Sequence, residues 1–301
     1  MRVALCARVF VLIGVMLCAE IAHAEYQVMA RKAAQGPSLF QATTNTAPVF
    51  EMRPSDNTVR NRFTFTLLYE IAVFDTRTGA IIPNATITLS MPMGRANSGG
   101  HDHDDAARPA GSFSYSTGNT GPSGVDFSPV FTAPEVSGIV DVVVSCSALG
   151  LPCLSSTLPI AVRIPDLVEL PGGVDYQLTG SFGSPGVTSR HVGNHFGTQS
   201  FVSKLQVLAT QYFIAYMSQS NQRLQFNDMS LIEGGLFDVG NGWSPAPDGH
   251  FEHRIGISVD VGLVPLARRN SFTTMLTLSG ITGVVNVEGN HWHVRETGSS
   301  Q

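Results

Sequence analysis

The chain has 301 residues, a formal net charge of -5 and a pI of about 6.0, which argues against a nucleic-acid-binding protein, because such proteins carry a basic face. Its residues are 43% hydrophobic and 14% charged, with 30 Gly and 17 Pro, a composition typical of a folded, strand-rich protein and not of a disordered one. The length is sufficient for one large domain or for two domains of ordinary size.

The first 24 residues have the features of an export signal. Arg2 and Arg8 flank an apolar run over residues 9–18, and Ala22–Ala24 forms a small-x-small cleavage site. The run has about ten residues, whereas a membrane-spanning helix needs about 20. A lipoprotein signal ending at Cys18 is the weaker alternative. We therefore predict a signal peptide over residues 1–24, no membrane span in the mature chain, and a secreted or periplasmic protein.

Residues 25–164 contain short, alternating, β-branched runs separated by turns. Runs of this length and spacing are typical of a β-sandwich, in which each strand buries one face. The runs are Phe63–Tyr69, Ile71–Phe74, Ala85–Ser90, Ile139–Val144 and Leu158–Ile164. The segment Phe131–Gly138, which precedes one of these strands, is similar to the late strands of bacterial immunoglobulin-like domains. The resemblance implies an immunoglobulin-like β-sandwich over residues 25–164.

The mature chain keeps two cysteines, Cys146 and Cys153. Gly150 and Pro152 between them favour a turn, and an exported protein meets an oxidising environment. We predict a local disulfide, with two buried thiols as the alternative. Neither arrangement suggests catalysis.

The pattern changes after residue 164. Residues 165–185 are rich in Pro and Gly and predict a linker. Beyond them, apolar residues recur with helical spacing from Thr198 to Met217, with Thr198 as a suitable N-cap. Shorter apolar runs follow, so residues 186–301 are predicted to form a compact α+β domain.

Two clusters of polar residues in this second domain have metal-ligand character. His253 and Asp260 are seven residues apart, a spacing that spans about 23 Å when extended. Both can reach one metal ion only if the chain bends between them, and Gly256 allows such a bend. In a strand after the bend, Val259 and Val261 would face the core and Asp260 the opposite side.

The second cluster is His291-Trp292-His293. In a strand, the two imidazoles project from one face while Trp292 packs behind them. Together the two clusters supply two or three imidazoles and one carboxylate, which leaves a coordination position for water. This is the composition of a catalytic zinc site, because structural zinc sites are usually closed and rich in cysteine.

This arrangement resembles the zinc peptidases that include lysostaphin, the D-Ala-D-Ala carboxypeptidases and the penicillin-insensitive murein endopeptidases. Their shared signature is a His, a Gly three residues later, an Asp seven residues later, and a distant His-x-His. The segments 227–231 and 234–238 are most similar to the murein endopeptidases. The resemblance implies that His253, Asp260 and His293 bind Zn2+ and that His291 assists catalysis.

The chain also departs from this family pattern. Phe251 stands where the family often has Ser, Ser258 replaces a common Ala, and Asn290 occupies the position of a catalytic Glu found in some members. Glu288 is five residues before His293 and does not simply inherit that role. The identity of the general base, and the possibility of an inactive relative, therefore stay open.

Two further histidines and one polar loop have two interpretations each. His191 and His195, which precede the predicted helix, are either satisfied turn residues or part of a substrate groove. The run from His101 to Asp105 in the predicted sandwich is either a solvated polar loop or a second metal site.

These features predict an exported zinc amidohydrolase. Bound zinc lowers the pKa of a coordinated water to about 7 and polarises a scissile carbonyl. By resemblance, the partner is peptidoglycan or a wall-derived peptide, and the cleaved bond is a peptide amide. The alternative is a non-catalytic cell-envelope binding or adhesion protein with a degenerate peptidase-like domain.

Overall fold

The computed structural model describes residues 26–32, 50–52, 66–92, 99–101, 108–180, 191, 193–217, 223–238, 243, 251–262, 264–283, 285–288 and 291–296. The predicted signal peptide at residues 1–24 lies outside these ranges, as do residues 102–105 of the polar loop. Within the described part of the chain, no helix is long and apolar enough to cross a membrane.

The described residues of the first half of the chain form two β-sheets. One sheet has the strand order β1-β3-β7-β5, and the other has the order β2-β10-β8-β4-β6 with β9 added to β8. The strands are β1 (Tyr26–Lys32), β2 (Phe50–Met52), β3 (Thr66–Asp75), β4 (Thr86–Ser90), β5 (Ser112–Phe113), β6 (Thr117–Asn119), β7 (Val130–Thr132), β8 (Gly138–Ala148), β9 (Leu151–Pro152) and β10 (Ser156–Val162). Neighbouring strands are antiparallel, except that β2 runs parallel to β10.

The two sheets share one hydrophobic core. Along β4, Ile87 and Leu89 are buried while their neighbours are exposed, and β1 and β3 contribute Val28, Ile71 and Val73 to the same cluster. Because each sheet buries one face against the other, this half is a β-sandwich. The predicted β-sandwich is therefore confirmed at the level of its two layers, and the immunoglobulin-like topology stays a prediction.

The predicted disulfide between Cys146 and Cys153 is confirmed. The two cysteines lie at the end of β8 and just after β9, where the Cys153 amide donates to the Cys146 carbonyl at 3.0 Å. Leu149 and Gly150 have φ values of 51° and 79°, the left-handed conformation that closes the tight turn. Both half-buried cysteines pack against the sandwich core.

Among its described residues, the second half contains a five-stranded sheet with the order β12-β14-β15-β17-β16, a two-stranded sheet of β11 and β13, and two α-helices. These elements are β11 (Leu167–Glu169), β12 (Tyr176–Leu178), β13 (Phe196–Thr198), α1 (Gln199–Tyr216), β14 (Leu224–Phe226), β15 (Ser258–Gly262), α2 (Arg269–Leu278), β16 (Val285–Glu288) and β17 (His291–Arg295). Short 3-10 helices cover Phe251–Ile255 and Leu266–Arg268. Helices and strands together share a second hydrophobic core.

The long helix forms as its sequence predicts. The Thr198 hydroxyl accepts a hydrogen bond from the Phe201 amide at 3.2 Å and caps the helix. Its apolar positions Leu205, Leu208 and Tyr212 are buried in the second core. The helix α2 was not predicted, because only Phe272 and Leu276 of its ten residues are buried and such a short segment has a weak helical period.

Part of the predicted linker at residues 165–185 packs into the second half. Leu170 and Tyr176 are buried in the second core, and β12 pairs in parallel with β14. The linker prediction is therefore wrong for residues 165–178. Apolar side chains of this segment pack in the second core although Pro and Gly residues surround them. Residues 181–185 lie outside the described ranges.

The two halves meet along a short backbone contact. Val136 forms an isolated antiparallel bridge with Gly235, and the Leu236 amide donates to the Glu135 carbonyl at 2.9 Å. The Glu135 carboxylate also pairs with the Arg254 guanidinium at 3.0 Å. The Gly235 amide donates to the Arg254 carbonyl at 2.9 Å, so Gly235 and Leu236 lie between the sandwich and the 3-10 helix that carries His253.

Removing the disulfide should destabilise the sandwich. Replacing both Cys146 and Cys153 with Ala opens a loop with a sequence separation of 7, so we expect a loss of about 2–3 kcal/mol in the free energy of unfolding. Chemical denaturation followed by circular dichroism measures this loss. Reductant should destabilise the wild type similarly and leave the double variant unchanged; equal stability of wild type and variant without reductant would contradict the prediction.

Candidate metal centre

A turn at Gly256 brings His253 to Asp260. His253 lies in the 3-10 helix Phe251–Ile255, and Gly256, with φ +71°, leads from that helix toward β15. The Gly256 carbonyl accepts a hydrogen bond from the Thr198 amide at 2.9 Å, which fixes the turn against the start of α1. As a result, His253 Nε2 lies 3.3 Å from Asp260 Oδ1. The predicted bend is therefore present.

The pairing of β15 with β17 supplies the other side chains. In this antiparallel register Asp260 stands opposite His293, and Gly262 stands opposite His291. His293 Nδ1 lies 2.9 Å from Asp260 Oδ1, and His291 Nε2 lies 3.4 Å from Asp260 Oδ2. Trp292 points to the opposite face, where its ring meets Phe272 edge-on at 5.2 Å in the second core. The structure thus brings all four predicted site residues together.

The backbone of Asp260 is held on its other edge by the segment Asn227–Leu231. The Asp260 amide donates to the Asp228 carbonyl at 2.9 Å, and the Asp260 carbonyl accepts from the Asn227 amide at 2.7 Å. The Asp228 carboxylate in turn accepts a hydrogen bond from the Asn194 side chain at 2.6 Å. This segment therefore fixes the position of Asp260 without contributing a ligand itself.

His253, Asp260 and His293 are buried, and His291 is more accessible than these three residues. The relative exposures of His253, Asp260 and His293 are 1%, 2% and 8%, whereas the His291 side chain is 24% exposed. Burial alone would raise the pKa of Asp260. Hydrogen bonds from His253 and His293, with the electrostatic influence of the His253 and His291 imidazoles, outweigh burial and hold the pKa of Asp260 well below its usual value. Asp260 is therefore a carboxylate at neutral pH.

The donor set fits a zinc ion. His253, Asp260 and His293 each offer one ligand atom, and these atoms lie within 4.8 Å of one another. Two imidazoles and one carboxylate are zinc ligands typical of hydrolytic sites. His253 Nδ1 also lies 3.4 Å from the Ser258 hydroxyl, and a contact on the second ring nitrogen orients a ligand histidine. Ser258, a departure from the family pattern, thus has a place in the site.

The other candidate histidines separate into two groups. His195 Nε2 donates to the Phe226 carbonyl at 3.1 Å, and burial lowers the pKa of His195 despite that bond. This histidine is a satisfied structural residue.

His101 and His191 instead lie beside Asp238. His101 is 1% exposed, so the interpretation of a solvated loop is wrong for this residue. Sequence reasoning did not identify Asp238 as a ligand and included it only within the segment 234–238 that resembles the murein endopeptidases.

Comparisons with known proteins do not assign the chain to a family. No protein-family model matches it, and no curated protein matches it significantly. Among solved structures it is similar to the ASH/PapD-like domain of human CEP192, with 14% identity and a TM-score of 0.28, over 46% of this chain and 86% of that chain. A DUF4466 family protein from Parabacteroides merdae matches with 9% identity and a TM-score of 0.21, over 67% of this chain and 61% of that chain. Both TM-scores are too low to establish a shared fold, and the peptidase resemblance stays a prediction.

The turn at Gly256 gives a test of the site geometry. A Cβ at this position would lie 2.6 Å from Leu167 Cδ2 and 2.9 Å from Gly197 Cα. Gly256→Ala should therefore add a clash, worth about 1–3 kcal/mol, to the cost of a left-handed φ, about 1–2 kcal/mol. Urea unfolding followed by circular dichroism and by tryptophan fluorescence measures the loss.

Gly79 provides a matched control for this substitution. It has the same φ of +71°, but a Cβ there would have nothing within 4 Å. Gly79→Ala should therefore show only the conformational cost. Equal destabilisation by the two substitutions would mean that close packing at Gly256 does not fix the turn.

Proposed function

We propose that this chain is an exported zinc-dependent amidohydrolase that cleaves peptide bonds in cell-wall peptidoglycan. The observation that carries the proposal is the convergence of His253, Asp260 and His293 on one point, with the more accessible His291 on the same strand face. The resemblance of this His, Gly, Asp and His-x-His pattern to the lysostaphin-type peptidases supports the substrate class.

In this proposal His253, Asp260 and His293 hold the metal ion. Two neutral imidazoles and one carboxylate leave a net positive charge at a zinc centre and fewer protein ligands than its usual four. Zinc bound there would supply Lewis-acid activation of water and of the scissile carbonyl. The Asn227 and Asp228 backbone groups hold Asp260 in the sheet, and Ser258 orients His253.

His291 acts on the reacting groups instead of on the metal. It lies two residues before His293 on the same face of β17, and its Nε2 is near Asp260 Oδ2. A neutral imidazole can accept a proton from the attacking water or donate a hydrogen bond to the developing oxyanion. Its partial exposure allows contact with substrate, which the three buried side chains lack.

Loss of any ligand should remove one equivalent of zinc from the purified mature protein. We expect this for His253→Ala, Asp260→Ala and His293→Ala, because each leaves only two protein donors. Elemental analysis after dialysis against trace zinc measures the content. His195→Gln is the matched control, since His195 is also a buried histidine but bonds a backbone carbonyl. Unchanged zinc content in all three variants would contradict the assignment of His253, Asp260 and His293 as metal ligands.

Replacing His291 should separate binding from turnover. We expect His291→Ala to keep its zinc and to hydrolyse cross-linked muropeptides about 10² to 10⁴-fold more slowly, the usual contribution of a positioned acid–base group. Chromatography of the digest measures the rate. Arg295→Ala, on the same face of β17 but beyond the cluster, serves as the control and should retain its rate.

Two outcomes contradict different parts of the proposal. If zinc-loaded His291→Ala hydrolyses muropeptides at the wild-type rate, His291 is excluded from the mechanism and the metal assignment is unaffected. A complete lack of hydrolysis by zinc-loaded wild type, over a panel of muropeptides, would overturn the enzymatic function. Wall binding without hydrolysis would then favour the non-catalytic envelope protein.

A further inference from the structure

A second cluster of buried polar side chains lies where the two halves of the chain meet. His101 comes from the sandwich half, and His191 and Asp238 come from the second half. Their relative exposures are 1%, 0% and 0%. His101 Nδ1 lies 3.1 Å from His191 Nε2. Asp238 Oδ1 lies 3.2 Å from His101 Nδ1 and 3.3 Å from His191 Nε2. The three atoms form a nearly equilateral triangle.

Hydrogen bonds alone do not satisfy this triangle. Each imidazole nitrogen carries at most one proton, and an ionised carboxylate carries none. If both nitrogens are protonated and donate to Asp238, the two N–H groups lie side by side with their nitrogens 3.1 Å apart, and their like partial charges repel. If only one is protonated, a nitrogen lone pair faces the carboxylate oxygen. With Asp238 ionised, every protonation state of the two imidazoles leaves one of the three pairs of atoms repulsive. The site is too buried for bulk water to screen this repulsion.

A cation at the centre satisfies all three edges together, because each atom then directs a lone pair at it. In a tetrahedral zinc site with bonds of about 2.0 Å, neighbouring ligand atoms lie about 3.3 Å apart. The distances of 3.1, 3.2 and 3.3 Å match this spacing. We propose that His101, His191 and Asp238 bind a second divalent transition-metal ion, of the class that prefers imidazole and carboxylate ligands, such as Zn2+.

Neighbouring groups fix the three side chains. The Trp243 amide donates to Asp238 Oδ2 at 2.8 Å, which leaves Oδ1 directed at the histidines. The Trp243 ring lies 4.7 Å from the His101 ring, and Phe237 stacks on His191 at 5.1 Å with an interplanar angle of 21°. These aromatic walls hold the imidazole planes and keep the centre dry, as outer groups do in metal sites.

The position of the cluster assigns it a structural role. The Ser137 hydroxyl of the sandwich donates to the Gly234 carbonyl at 2.7 Å, and a Cβ on Gly100 would lie 3.3 Å from Ile232 Cγ2 of the second half. The segment before His101 is therefore packed tightly against the second half. A metal held by ligands from both halves joins them, and its burial separates it from the more open centre that carries His291.

Metal stoichiometry tests this proposal with Zn2+ alone as the probe. The full mature chain is stripped with chelator, equilibrated with Zn2+ and analysed for bound metal. Wild type should bind two equivalents, and His101→Gln and His253→Ala should each bind one. The double variant His101→Gln/His253→Ala should bind none. Zinc affinity at the cluster should fall by about 100-fold or more in His101→Gln, because even outer-shell changes cost 10- to 100-fold.

Two controls keep the result decisive. His195→Gln, a buried histidine outside both clusters, should bind two equivalents. Zn2+ should raise the Tm of His253→Ala but not that of the double variant, because only the former retains a site to stabilise. If His101→Gln does not fold, His253→Ala still decides the matter, since a folded His253→Ala that binds no Zn2+ would overturn the second site.

The two metal assignments fail in different ways. If only the second site is wrong, His101→Gln matches wild type and His253→Ala loses all zinc. If only the first centre is wrong, His253→Ala matches wild type and His101→Gln loses all zinc.

Discussion

The antiparallel register between β15 and β17 is the constraint on which the candidate centre depends. A shift of one residue in this pairing would turn His291 and His293 into the core and bring Trp292 to the ligand face, because side chains alternate along a strand. The observed register places Asp260 opposite His293 and buries Val259, Val261, Trp292 and Val294 on the other face. Hydrophobic burial on one face therefore fixes the polar arrangement on the opposite one.

The same register explains how a charged carboxylate persists in a buried position. Asp260 is 2% exposed, and an isolated ionised group there would be strongly unfavourable. Three imidazoles within 3.4 Å of its oxygens supply the compensating interactions. Packing and electrostatics thus support each other: the apolar face specifies the register, and the register gives Asp260 its partners.

Features governed by local physics were predictable from the sequence. The Thr198 cap, the apolar period of α1, the strands of the sandwich, the disulfide and the bend at Gly256 each depend on residues close together in the chain. The sequence also grouped His253, Asp260, His291 and His293, because their pattern matched a known signature. The short helix α2 and the burial of Leu170 and Tyr176 were missed, because they depend on packing against distant elements.

The second cluster shows why long-range sites are harder to predict. His101 and His191 are 90 residues apart, and Asp238 lies 47 residues beyond His191. No periodicity or spacing connects them, since they meet only after the two halves pack together. The sequence marked the run beginning at His101 as rich in metal-ligand types, but the partners of His101 become visible only in three dimensions. Phe237, which touches the imidazoles of both His191 and His253, lies next to both clusters.

The strand order of the second half has a consequence for how the candidate centre opens. In the order β12-β14-β15-β17-β16, the strands that carry Asp260 and His293 both have neighbours on each side. Their amides therefore exchange with solvent only when much of the sheet separates, so fraying at the edges leaves these two ligands in place. His253 belongs to a 3-10 helix and is attached through a single glycine turn. Local opening that detaches a ligand while the sheet stays intact is thus confined to the His253 side of the centre.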